Sequence, residues 1–249
     1  MFAATADLAA LAGWVSHDAG RYGIAQRLWS YGTYAAGEAG QRDRGVELVT
    51  RMSHQMIHLR HPHDALALLD VAAKKATLPV TRTLVSSQTG RVHAALGDER
   101  AAHRHHGIAD ELLADDLGDV PPWVDYFDAA EHAGARTVSA RDLTQPGRPQ
   151  AASTHVEKAI AFRKPDFDRV KVMDRVSLAA ALYDEGDIEQ ATDAAHQALD
   201  EAARINSTLV ASRINTLLDT TRPYRTAGDA DVRTRARDLA AAPPTTIAA

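Results

Sequence analysis

"SLAAALYDEGDIEQATDAAHQALDEA", residues 177–202, decides the fold. Its apolar residues recur every three or four positions: Leu178, Ala179 and Leu182, then Ile188, Ala191, Ala195 and Ala198. That period belongs to helices, not strands. The tetrapeptide DEGD interrupts it, and Gly186 suits the left-handed residue that ends a helix. Small residues at these spacings let two helices approach closely. The stretch predicts an antiparallel helical hairpin.

The same frame recurs along the chain. "HDAGRYGIAQRLW" places Gly20, Tyr22, Ala25 and Trp29; "GDERAAHRHHGIA" places Gly97, Asp98, Ala102 and Ala109. "QPGRPQAASTHVEKAI" places Gly147, Pro149, Ala152 and Ala159, and "RHPHDALALLDVA" places Arg60 where glycine is expected, then Pro62, Ala65 and Ala72. This pattern resembles the turn and second helix of a tetratricopeptide repeat. Turns fall at residues 20, 60, 97, 147 and 186, wider than the roughly 34-residue spacing of that repeat, so its helices are longer here. In the widest interval, Pro121–Pro122 suggests a helix start, with one long helix running to about Gln145. A last helix pair follows, capped by Asn206 or Ser207 and interrupted at Pro223, with a polar face suited to a terminal cap. The expected fold is all-α: a right-handed α-solenoid of about five such hairpins plus a capping pair. It forms one domain over residues 1–242, with a loose tail over 243–249.

Gly13–Trp14, Ser53–Gln55 and the Trp-x-x-x-Phe-Asp of Trp123–Asp128 add a more specific likeness. From about Leu8 to Leu239 the chain resembles the C-terminal helical-repeat region of actinobacterial helix-turn-helix transcriptional regulators of the phage-repressor-like class. The DNA-binding motif of those regulators has no counterpart in the sequence. The chain reads either as a stand-alone relative or as part of a longer regulator. The resemblance implies ligand or partner sensing and self-association; it does not transfer DNA binding or any effector-binding residue.

Composition narrows the chemistry. The 249 residues carry a net charge of −5, which disfavours a non-specific grip on nucleic acid. There is no cysteine, so disulfides, thiolate metal sites and a cysteine nucleophile are excluded. No apolar run reaches membrane-spanning length and no leader pattern is visible; a cytoplasmic location is expected.

Four histidines fall in "SHQMIHLRHPH", residues 53–63. His61 and His63 belong to a turn and read as solvated. His54 and His58 lie one helical turn apart, a spacing that can hold a divalent ion. The glutamate of an HExxH motif is absent. In the repeat frame these two join Trp14, His17 and Asp18 on first helices, which line the concave face of a tetratricopeptide superhelix. Arg91 and Arg141 occupy equivalent positions in later repeats. They suit a carboxylate or phosphate, or a pairing with Asp128 or Glu131. Trp123, Phe127 and Glu131 read as one stripe of the long helix, with Trp123 and Phe127 anchoring it to the core; Asp128 and Glu131, three apart, read alternatively as a grip on a cationic ligand in the groove. "HRHHG", residues 103–107, reads as a solvated outer face. Gly13, Gly32 and Gly90 match the small position where hairpin helices touch. No glycine-rich phosphate loop and no serine–histidine–acid elbow is visible.

The function expected is non-catalytic. A groove formed by Trp14, His17, Asp18, His54, His58, Arg91, Asp128, Glu131 and Arg141 would bind a small molecule, peptide or protein segment in transcriptional regulation. No cofactor, nucleic acid or membrane is implied, and a homodimer is plausible on symmetry grounds. A pure protein-interaction scaffold is the alternative. A metal-dependent enzyme using His54 and His58 is the third.

Overall fold

The computed structural model describes residues 1–115, 117–143, 152–164, 167–205 and 207–241. It is all-helical, with twelve helices and no strand among the described residues. They are α1 Phe2–Asp18, α2 Tyr22–Glu38, α3 Arg42–His58, α4 Pro62–Ala73, α5 Pro79–Ala95, α6 Glu99–Ala114, α7 Ala129–Asp142, α8 Ala152–Phe162, α9 Asp168–Glu185, α10 Ile188–Ala202, α11 Thr208–Thr221 and α12 Ala227–Ala241. The chain divides into two compact units, Met1–Leu143 and Thr144–Ala249.

In the first unit α1 packs on α2, α3 on α4, and α5 on α6; α3 also packs against α5, and α5 against α7. Turns close these pairs where the repeat frame put them. Gly20 and Gly97 have positive φ, and so does Arg60, at 66°. Pro62 and Pro79 open α4 and α5 in the first turn, where a missing N–H costs nothing. Helix contact is close because glycine lies at it. A Cβ at Gly90 would sit 2.9 Å from the His106 ring, and one at Gly32 would sit 3.0 Å from Ala9 Cβ.

The second unit has one continuous core. Tyr183, Leu199, Ile214, Leu217 and Val232 pack around α9. α9 touches α8, α10 and α11, and α12 closes on α10 and α11. Gly186, at φ 87°, ends α9, and the Asp187 side chain caps α10 through Gln190 N–H. Ser207 caps α11 through Val210 N–H.

Two expectations need correction. No helix begins at the Pro-Pro pair: residues 122–126 form turns, and α7 starts only at Ala129. The Asp128 side chain sets that start by accepting from Ala130 N and Glu131 N, both at 3.0 Å. Trp123, Phe127 and Glu131 therefore form no helical stripe. Phe127 is still buried, with Val124, against Val80 and Leu84. His106 is not solvated either. It shares a stripe with Ala102 and Ala109, is buried, and lies 2.8 Å from Ser139 Oγ through Nε2. The turn at Gly147, the Asn206 cap and the tail over 243–249 lie outside the described residues.

Candidate functional site

Three helices of the first unit bring a ring cluster together. The last turn of α1 carries Trp14, His17 and Asp18; α3 carries His54 and His58; α2 begins with Tyr22. His17 is fully buried at the centre. Its ring centroid lies 5.5 Å from those of Trp14, Tyr22 and His58, 5.7 Å from Trp29 and 5.8 Å from His54. Trp14 also meets His54 edge-on at 5.9 Å. These spacings are those of favourable aromatic pairs.

Hydrogen bonds fix the rings. Arg91 of α5 places Nη1 3.0 Å from His54 Nδ1. A guanidinium can only donate, so His54 Nδ1 accepts and its proton resides on Nε2. His58 Nε2 lies 2.8 Å from Tyr22 Oη. Burial, and then the charge of Asp18, push the Tyr22 phenol up. Burial lowers the Arg91 pKa, with Asp142 and Glu131 opposing. The Arg91 guanidinium donates through Nη1 to the His54 ring.

A second layer locks onto this cluster. Glu47 is fully buried in α3. It accepts from Arg44 at 2.8 Å, from Arg51, and from Tyr126 Oη at 3.0 Å. The Arg51 guanidinium lies 5.4 Å from the Trp14 ring and 4.9 Å from the Tyr126 ring, so it bridges the two. Arg44 pairs with Asp7 at 2.9 Å and lies 5.3 Å from the Trp123 ring. The turn segment before α7 is thus held against α3 by two arginines and one carboxylate. Burial pulls the Arg51 pKa down, but Glu47 and Tyr126 outweigh it and the net shift is upward. Burial, then Glu47, drives the Tyr126 phenol up so that it stays protonated.

Of the residues picked from sequence, Trp14, His17, His54, His58 and Arg91 form one contiguous cluster. Asp18 borders it beside Tyr22, and Glu131 acts on Arg91 through its charge. Asp128 caps α7, and Arg141 lies in the last turn of that helix. His61 and His63 are exposed. Sequence reading missed Glu47 and Arg51. Their four-residue spacing was the available signal, but it usually marks a surface ion pair. Among the described residues no group of three or more histidines and carboxylates could hold a metal ion.

A chain of serine, histidine and aspartate does occur, between helices. His132 places Nδ1 2.8 Å from Ser87 Oγ and Nε2 3.0 Å from Asp110. Ser87 is buried and the Asp110 side chain is 53% exposed, the reverse of what nucleophilic attack needs. Burial lowers the His132 pKa, against the pull of Asp110. The chain matches no family model and no curated protein.

Proposed function

We propose that this chain is a non-catalytic regulatory module. Its hairpins stack as tetratricopeptide-like repeats, and first helices present a recognition surface for a small molecule, peptide or protein segment. The contacts of α3 with α5 and of α5 with α7 support that stacking in the first unit. One observation carries the functional reading. Trp14, His17, His54, His58 and Arg91 come from three helices far apart in sequence yet form one cluster of rings and charge. Aromatic planes next to a guanidinium suit a ligand with a flat or apolar body and an anionic group. Binding there would shift α1 against α3 and α5, and a partner would read that shift. By the resemblance to helix-turn-helix regulators, the output is transcriptional.

A native mass spectrum of the purified chain, compared with Trp14→Ala, tests this. The expected result is a retained mass of a few hundred daltons, or a captured peptide or protein, lost in the variant. A bare chain mass, together with the same captured partners in both proteins, overturns the reading. A single divalent ion lost in His54→Ala would favour metal chemistry instead.

A further inference from the structure

A cleft of about 430 Å³ lies where the end of α2, the start of α3 and the end of α4 meet. That size falls within the roughly 300–1,000 Å³ of small-molecule sites. The cleft sits at the opposite end of α3 from His54 and His58 and shares no residue with the ring cluster. α3 supplies Arg42, Gly45, Val46 and Val49, spaced i, i+3, i+4 and i+7, so one stripe of the helix forms the floor. α4 adds Val71 and Ala72, with Lys75 just beyond its end. Val71 is 56% exposed there, an apolar wall left open to solvent.

Two glycines keep the cleft wide. Gly37 and Gly45 lie within helices and neither has a positive φ, so the backbone does not require glycine. Packing does not require it either. A Cβ at Gly37 would meet nothing within 4 Å, and one at Gly45 would meet only Thr33 Cγ2, at an ordinary 3.8 Å. Glycine weakens a helix relative to alanine, and what it leaves here is space. The charge of the lining is one-sided. Arg42 and Lys75 line the cleft and no carboxylate does, in a chain of net charge −5. The neighbouring Asp43 is engaged elsewhere, accepting from Thr77, Leu78 and Thr81. The Gln41 amide is also unspent. It opens α3 without a capping bond, and its Oε1 is buried with no hydrogen-bond partner among the described residues. Such an amide can still donate to a bound anion through Nε2. We infer that this cleft binds a small amphipathic carboxylate, its acyl chain on Val46, Val49 and Val71 and its anionic head between Arg42 and Lys75. The apolar floor calls for the chain, and the paired cations call for the charge.

Calorimetric titration of the 249-residue chain with octanoate tests this. Octanol, which lacks the charge, and inorganic phosphate, which lacks the chain, serve as the contrasting probes. Octanoate should saturate one site per chain with a dissociation constant below ~1 mM. Octanol and phosphate should each bind at least tenfold more weakly. The double variant Arg42→Ala, Lys75→Ala should weaken octanoate at least tenfold and leave octanol unchanged. Gly45→Leu should abolish octanoate binding with the urea midpoint unchanged or raised, because leucine fills the space and favours the helix. Weaker octanoate saturation, or none, overturns the inference. So does equal affinity for octanol or phosphate, or indifference to the double variant. Octanoate binding that survives Gly45→Leu overturns it too, since the acid then binds elsewhere on the surface. If Gly45→Leu lowers the helical signal, Gly37→Leu, at an exposed position of the same wall, decides.

Discussion

Gly13 lies against Trp29, the largest fully buried side chain in the chain, whose Nε1 donates to Ala10 O at 3.3 Å. A methyl group there would fall 2.9 Å from Trp29 Cε2 and closer still to two other ring atoms. The indole cannot retreat without breaking its hydrogen bond. Gly13→Ala is therefore expected to destabilise the chain by about 1–3 kcal/mol, despite the better helix propensity of alanine. Urea unfolding checks this, and an unchanged midpoint would contradict the packing account. Arg60 is the opposite case. It holds φ at 66°, the conformation Gly20, Gly97 and Gly186 adopt at the equivalent turns. A Cβ carries a steric cost there that glycine avoids. Arg60→Gly should stabilise by about 1 kcal/mol, seen as a higher urea midpoint; a lower one would mean that the arginine makes a compensating contact. Both glycine roles were legible from spacing, because turns and close helix contacts impose local rules on single positions.

α3 shows where such local rules stop. Its His54 and His58 could be placed on a first helix from the repeat frame, and they do meet Trp14 and His17. Glu47 and Arg51 could not be told from a surface pair. Their burial depends on Tyr126 and Trp123, some eighty residues later, folding back over the helix. The same long-range packing explains the misplaced start of α7, where Asp128 rather than the prolines begins the helix. It also explains His106, which the run of neighbouring histidines disguised as surface. Removing Glu47 would leave Arg44 and Arg51 buried beside each other without their shared carboxylate. Glu47→Ala is expected to cost about 3–5 kcal/mol. Tyr126→Phe should cost far less, about 1–2 kcal/mol, since the arginines still satisfy the carboxylate. Chemical denaturation of both variants checks the ranking; equal losses would show that the turn segment, not the ion pairs, stabilises α3.

The two units differ in how their interiors are built. The second rests on one apolar core around α9, whereas the first splits into several smaller clusters joined by polar networks. The helical make-up could be read from the three-to-four-residue period, but this contrast could not, because small apolar residues follow one period in both. The contrast has a pH signature. Burial, the leading cause in each case, lowers the pKa of His132 and His105, both in the first unit. In the second unit Asp229, Tyr183 and Tyr224 are shifted. Burial works against the Asp229 carboxylate, but its hydrogen bonds win and hold it low; burial pushes both phenols up. None of these titrates near neutrality. A histidine lowered in the folded state binds fewer protons than in the unfolded chain. Its contribution is thus complete above the unfolded value of about 6.5 and is lost as pH falls from there toward the folded value. The Asp43 carboxylate, also held low despite burial by its bonds to Thr77, Thr81 and Leu78, loses its contribution only in stronger acid. All three tryptophans, Trp14, Trp29 and Trp123, lie in the first unit, so their fluorescence reports on that unit alone. Lowering the pH from about 7.5 to about 5.5 should move the urea midpoint seen by fluorescence further down than the midpoint seen by helical signal. His132→Gln should lower stability at neutral pH and shrink that extra movement. Identical shifts by both probes would show instead that the two units unfold as one, and that the histidines of the first set the stability of the whole.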